Sequence, residues 1–212
     1  MNRVLFIHIP KCGGTTIRAA LDIRHIPNAQ NLLGEKIDSG RLCFQHGSMD
    51  FIKERQIISK RFLRRGFIFS FTRNPYDRVV SHYFYAIQKR RLGFLFERST
   101  PFQSTSGTNE FSLTLPFLEF TRTIMNERSN YRSQSIYLGE NRFNFIGKLE
   151  NINEDLKRVC EMLGEEPVEV PHLNTSKRPK DYREVYCQES KERVEEFYAE
   201  DFKRFGYELE DF

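Results

Sequence analysis

Short, mostly apolar runs recur along the chain, and each is followed by a turn signal. Arg3–His8 and Gly66–Thr72 have the near-continuous apolar pattern that is typical of buried strands in a parallel sheet. Arg41–Gln45 and Phe143–Lys148 are less apolar runs of the same kind. The pattern therefore predicts strands at these places, with an irregular segment over residues 26–40.

Helical periodicity separates the predicted strands. The clearest case is Pro75–Lys89, which Asn74 precedes as an N-cap residue and which has proline at its first position. Asn151 and Glu154 have the spacing of a capping box, and Gly164 is a C-terminal stop signal. The other predicted helices are Thr15–Ile23, a short one from Met49, Phe111–Asn126, Asn151–Leu163 and Asp181–Ala199.

Strands that alternate with helices favour an α/β fold, which we predict to be a three-layer sandwich around a central parallel sheet. No repeat or linker marks a second domain, so residues 1–212 are predicted to form a single domain. Ligands of such sheets bind beyond the carboxyl ends of the strands. The loops after His8, Gln45, Thr72 and Lys148 are therefore expected to converge on one site.

Composition and charge narrow the class of partner. The apolar fraction is only 39%, but 20 Phe among 212 residues can fill a core. The net charge of +4 favours an anionic ligand, without the basic face that nucleic acid would require. The basic runs Lys53–Arg65 and Lys89–Arg98 fit solvated helix faces, and either could also attract a polyanion. Residues 92–110 lack periodicity and are predicted to form a mobile substrate loop.

The cysteines and the lack of long apolar segments indicate the cellular compartment in which the protein is expected. Cys12, Cys43, Cys160 and Cys187 are far apart, which argues against both a disulfide framework and a zinc site. No leader or membrane span is recognisable. We therefore expect a cytoplasmic protein if the chain is full length, or otherwise a soluble catalytic domain of a larger protein.

The turn after the first predicted strand has the composition of an anion-binding loop. Ile9–Thr16 reads IPKCGGTT, with two glycines, a lysine and two threonines before a helix. An ordinary glycine turn with an incidental lysine is the alternative. In the phosphate loop of nucleotide hydrolases, GxxxxGK followed by Ser or Thr, the lysine comes after the last glycine. Lys11 precedes both glycines, so that pattern is excluded.

Arg73 and Ser81 form a second candidate anion site. Arg73 lies where a predicted strand ends, and Ser81 is about two turns into the next helix. Guanidinium and hydroxyl groups give directional donors for a phosphate. Pairing of Arg73 with Asp77 or Glu150 for stability alone is the alternative.

His46 is the candidate general base. It follows a predicted strand in FQHGS, and an imidazole can accept a proton from a hydroxyl near neutral pH. A histidine beside a glycine is otherwise a common turn or cap residue. No cluster of metal-ligating residues accompanies it, so we expect no metal in the site.

The strings HIPKCGGTT and RNPYDRVVS resemble the two donor-binding elements of sulfotransferases that use 3′-phosphoadenosine 5′-phosphosulfate (PAPS). The likeness is greatest to the carbohydrate branch, and in particular to the heparan and chondroitin 2-O-sulfotransferases. It implies a fold like that of P-loop nucleotide hydrolases. It also implies transfer of a sulfuryl group to an acceptor hydroxyl, of a glycan or of another small molecule.

The resemblance also implies roles for individual residues. Lys11 would contact the oxygen that bridges sulfur and phosphorus, and His46 would be the catalytic base. The residues that would hold the donor are Lys11, Cys12, Gly13, Gly14, Thr15 and Thr16 at the 5′-phosphosulfate, Arg73 and Ser81 at the 3′-phosphate, and Thr175, Ser176 and Lys177 in a loop over the adenosine. A kinase-like phosphoryl transferase and a non-catalytic nucleotide-binding module are the competing interpretations.

Overall fold

The structure is a computed structural model, and it describes residues 3–26, 37–45, 47–88, 114–125, 131–171 and 178–212. Its chain divides into two compact units. The first comprises Met1–Asn74 and Ser133–Thr175, and the second comprises Pro75–Arg132 and Ser176–Phe212. The predicted mobile loop at 92–110 and the basic run Lys89–Arg98 lie outside the described residues.

A parallel sheet forms the centre of the first unit. Its strands are β1 Arg3–His8, β2 Arg24–Ile26, β3 Gly40–Gln45, β4 Phe67–Thr72 and β5 Phe145–Lys148. They pair in the order β2-β3-β1-β4-β5, and every pairing is parallel. The predicted α/β class with a central parallel sheet is therefore confirmed.

Helices of the described residues occur in both units, whereas the strands of the sheet lie in the first. The helices are α1 Gly14–Ala20, α2 Met49–Glu54, α3 Lys60–Arg65, α4 Pro75–Gln88, α5 Thr114–Ile124, α6 Gln134–Leu138, α7 Ile152–Leu163, α8 Gln188–Phe197 and α9 Ala199–Phe205. Of these, α4, α5, α8 and α9 belong to the second unit.

The strand order creates a switch point between β1 and β4. The chain starts in β1, adds β3 on one side of it, and then returns to add β4 on the other side. The connections after β1 and β4 therefore run in opposite directions, which opens a crevice beyond the carboxyl ends of these two strands. The loops that carry the two candidate anion-binding motifs begin at this crevice.

Both faces of the sheet are covered, which explains why the strands are apolar without alternation. All six residues of β4 are buried, and so are Val4–Ile7 of β1. On one face Phe6 stacks on Phe69 with 4.9 Å between ring centroids, and apolar residues of α1 and α7 pack in the same cluster.

The second unit has an aromatic core of its own. Its buried residues are Tyr76, Val79, Val80, Tyr83, Ala86, Phe117, Phe120, Ile124, Val185, Tyr186, Val194, Tyr198 and Phe202. Edge-to-face pairs such as Tyr83 with Phe117 contribute packing energy beyond the burial of their area. Many of the aromatic residues of the sequence are thus buried in a core, as the composition predicted.

Two helix predictions were wrong in detail. The Asn151 side chain makes no cap hydrogen bond, because a 3₁₀ turn over Leu149–Asn151 precedes α7 and Asn151 lies at its end. The segment Asp181–Ala199 is not one helix but a 3₁₀ turn, Tyr182–Val185, followed by α8 and the start of α9. Its break lies at Tyr186, whose buried ring packs in the aromatic core with an extended backbone. The helix stop at Gly164 is confirmed by its left-handed φ of 72°.

Candidate functional site

The loop between β1 and α1 turns sharply at two residues. Lys11 has φ 67°, and Gly13 has φ 73° and ψ 9° as the N-cap of α1. Gly13 has no side chain to bond the first amides of α1, so these amides are not capped by the residue before the helix. A left-handed lysine costs about 1–3 kcal/mol, and such strain is concentrated at functional sites. Thr15 is exposed at the surface of this loop.

Both glycines of the loop also lie close to neighbouring side chains. A Cβ on Gly13 would lie 2.5 Å from Leu149 Cδ1, and one on Gly14 would lie 2.0 Å from His8 Cδ2. The sequence suggested that these glycines let the backbone approach a ligand. The structure adds that their missing side chains make room for Leu149 and for the His8 ring.

Replacing Gly14 by alanine is expected to destabilise the fold by about 1–3 kcal/mol, because the new methyl group must displace the His8 ring. Without that clash, alanine would favour the first turn of α1 by up to about 1 kcal/mol. In a His8→Ala background the substitution should therefore become neutral or stabilising. Urea unfolding of the single and double variants measures this cycle. An equal loss of stability in both backgrounds would contradict the clash.

Arg73, the first residue of the second motif, contacts the loop between β1 and α1. It follows β4, it is buried with 9% of its surface exposed, and its Nη1 donates a hydrogen bond to the Lys11 carbonyl at 3.0 Å. The guanidinium therefore lies beside the left-handed turn of the loop. The two motifs that the sequence identified separately are in contact.

The carboxylates that the sequence offered as alternative partners of Arg73 make contacts with other residues. Asp77 pairs with Arg178. Glu150 Oε1 accepts the backbone N–H of Asn74 at 2.6 Å, which joins the loop after β5 to the loop after β4. The loops that follow β1, β4 and β5 are thus connected at the carboxyl edge of the sheet.

A glutamine that sequence reasoning missed connects the same loops. Gln134, at the start of α6, is fully buried. Its Oε1 accepts the Arg73 backbone N–H at 2.9 Å and the Cys12 thiol at 3.2 Å, and its Nε2 donates to the Arg73 carbonyl at 2.8 Å. No motif pointed to this residue, because it lies in a short segment without periodicity.

His46 lies outside the described residues, but the elements on either side of it are described. β3 ends at Gln45, which is the register partner of His8, and Ser48 caps α2 by accepting the Phe51 N–H at 3.2 Å. The loop after β3 therefore starts at the same level of the sheet as the loop after β1. Asn141 fixes α2 through Asp50 Oδ1 at 2.7 Å and Lys53 Nζ at 2.6 Å.

The other candidate residues are distributed between the units. Ser81 is buried on α4 of the second unit, where His82 packs edge-to-face on Tyr131 with 4.7 Å between centroids. His25 lies in β2, where burial and then the charge of Arg18 lower its pKa. The predicted adenosine loop residues Thr175, Ser176 and Lys177 lie outside the described residues.

Two kinds of feature are absent from the described residues. No group of three or more His, Cys, Asp or Glu side chains is arranged there to hold a metal ion. No helix in that part of the chain is long and apolar enough to cross a bilayer.

Comparison with known proteins identifies the family. The chain is similar over 96% of its length to a crystal structure of a sulfotransferase from Alicyclobacillus acidocaldarius, with 13% identity, a TM-score of 0.44 and 94% of that chain covered. No match was found among curated proteins. The model of the sulfotransferase family matches residues 1–208. Since this match spans nearly the whole chain, the protein belongs to the sulfotransferase family.

Proposed function

We propose that this transferase moves a sulfuryl group from PAPS to an acceptor hydroxyl of a carbohydrate. The observation that carries the proposal is the 3.0 Å hydrogen bond from Arg73 Nη1 to the Lys11 carbonyl. It joins, at the switch point of the sheet, the two sequence motifs that resemble the binding elements for the two ends of this donor. The carbohydrate acceptor rests on the branch resemblance alone.

The residues of the first unit fit a nucleotide with two separate anionic groups. The loop from Lys11 to Thr16 offers backbone amides, two hydroxyls and an ammonium group, which suit a phosphosulfate. Arg73 adds a guanidinium, which suits the 3′-phosphate. The sequence also assigns Ser81 to that phosphate, and this assignment stays a prediction.

The chemistry requires a base and an electrostatic partner for the leaving group. The acceptor oxygen bonds to sulfur as the bond from sulfur to the bridging oxygen breaks, and the nucleotide leaves as the 3′,5′-bisphosphate. His46 would take the proton of the acceptor hydroxyl. Lys11 would offset the charge that develops on the bridging oxygen. No step in this scheme requires a metal.

Calorimetry with nucleotides tests the donor. We expect adenosine 3′,5′-bisphosphate to bind at least about 100-fold more tightly than AMP, because only it engages the 3′-phosphate site. ATP with magnesium is the third ligand. If it bound as well as the bisphosphate or better, a kinase-like activity would replace the proposal. Bisphosphate binding without turnover of any acceptor would indicate a binding module.

Arg73→Ala is expected to reduce the preference for the bisphosphate over AMP by about 10–100-fold, because a charge-assisted contact to the 3′-phosphate is lost. The two affinities are measured by calorimetry on protein whose folding is checked by thermal melting. Arg158→Ala is the matched control, since Arg158 is 66% exposed on α7 and pairs with Asp155. Equal weakening of both ligands would assign Arg73 to the loop alone and remove it from the 3′-phosphate.

The acceptor is best identified by a transfer screen with sulfur-labelled PAPS. Heparan and chondroitin precursors, simple sugars and phenols represent the main hydroxyl classes. Label in the glycan fractions would support the carbohydrate part of the proposal. Label in the phenols alone would overturn that part and leave the donor assignment intact.

A further inference from the structure

The two donor motifs are held together by one side chain that belongs to neither of them. Gln134 contacts Arg73 at both its backbone N–H and its carbonyl, and it accepts a hydrogen bond from the Cys12 thiol. The Arg73 side chain returns to the loop through the Lys11 carbonyl. Three chain segments thus form a closed ring of hydrogen bonds within the first unit.

Both amide contacts of Gln134 to the backbone are made with Arg73, the residue that follows β4. Arg73 is the first residue beyond the strand, so its backbone N–H and carbonyl are not part of the ladder that β4 makes with β1 and β5. The Gln134 amide takes the place of a further strand residue, because it accepts from the N–H and donates to the carbonyl of the same residue. A buried amide with partners on both of its heavy atoms has little rotational freedom. It therefore fixes where the Arg73 side chain leaves the backbone.

The hydrogen bond from the Cys12 thiol connects Gln134 to the loop as well as to Arg73. Cys12 lies between Lys11 and Gly13, the two residues with positive φ, and its side chain is buried. Its Sγ is 3.2 Å from the oxygen that also accepts the Arg73 N–H. A shift of Gln134 would thus move the loop and the arginine together.

We propose that Gln134 is a positioning residue for donor recognition, which sets the distance between the phosphosulfate loop and the Arg73 guanidinium. The proposal rests on the proposed function, since it assigns the loop with Lys11 to the phosphosulfate of PAPS and Arg73 to its 3′-phosphate. Gln134 itself contacts backbone and thiol groups and takes no part in the transfer step.

Gln134→Met tests this role, because methionine fills a similar volume without the amide. We expect the preference for the bisphosphate over AMP to fall at least about tenfold in folded protein. Asn144→Leu is the matched control. Asn144 also uses its amide oxygen to accept a backbone N–H of β4, that of Ile68 at 2.8 Å, but at the amino end of the strand. Both variants should lose stability, and only Gln134→Met should lose the preference.

Cys12→Ala tests the contact between Gln134 and the loop. It can be measured whether or not the Gln134→Met protein folds. Cys12→Ala removes the thiol donor and should weaken AMP and the bisphosphate alike, by about two- to fivefold. In the Gln134→Met background the same change should have no further effect, because the contact is already absent. Cys12→Ser, which keeps a donor, should recover part of the loss.

The outcomes separate this inference from the function on which it rests. If the wild-type protein did not prefer the bisphosphate, the proposed function would fail. If the wild-type protein prefers it and a folded Gln134→Met protein keeps the whole preference, only the role of Gln134 is overturned. If Gln134→Met does not fold, unchanged nucleotide affinity in Cys12→Ala overturns the proposal instead.

Discussion

Lys11→Met is expected to reduce the turnover number for sulfuryl transfer by about 10²–10³-fold while the KM for PAPS changes much less. Methionine keeps most of the length of the side chain and removes its charge. The ammonium group is needed most when the bond to the bridging oxygen breaks, so its loss should raise the barrier more than it weakens binding. Steady-state kinetics with labelled PAPS measure kcat and KM separately.

The matched control for this prediction is Lys157→Met. Lys157 is an exposed lysine on α7 of the same unit, so the change removes one positive charge without touching the loop. It separates the local role of Lys11 from a general effect of net charge on an anionic substrate. At position 11 methionine meets the same left-handed strain as lysine, so the stability of the Lys11→Met protein should stay close to that of the wild type. A Lys11→Met enzyme with normal kcat would remove Lys11 from the transition state.

Four of the five strands among the described residues were predicted from the sequence, and the clearest of them, β1 and β4, have both faces buried. β1 and β4 pack on both sides, so their residues are apolar in succession and their limits could be recognised to within one residue. β2 was not predicted because its three residues are Arg24, His25 and Ile26, and it lies at the edge of the sheet next to β3 alone. Short edge strands carry little pattern, since their formation depends on the neighbouring strand.

The same contrast holds for the candidate site. The loop with Lys11 and the position of Arg73 could be predicted because each is a local motif with a composition that fits an anion. Gln134 could not, because its partners Arg73 and Cys12 are 61 and 122 residues away in the chain. Its proposed positioning role depends on tertiary contacts, and those to Arg73 are made with backbone atoms, which any residue type can supply. Sequence thus identifies groups that meet a ligand more readily than groups that position them.

His46→Ala is expected to lower kcat for transfer by about 10²–10⁴-fold and to leave calorimetric binding of the bisphosphate unchanged, because the base acts on the acceptor and not on the nucleotide. The base must be neutral to accept a proton, so wild-type kcat/KM should fall toward acid pH. The residual activity of the variant should lack that decline. This pH profile distinguishes a base from a residue that only shapes the loop after β3.

His25 supplies the control for that interpretation. It lies in β2, where it is the register partner of Cys43, and its lowered pKa could itself produce a change of activity at acid pH. His25→Gln should nevertheless keep the acid decline of the wild-type enzyme, because the predicted base, His46, follows β3 in the sequence and is not part of the edge strand β2. Loss of the decline in His25→Gln, together with its retention in His46→Ala, would transfer the role of base away from His46. The reaction and the donor would stand, and the proton would need another acceptor.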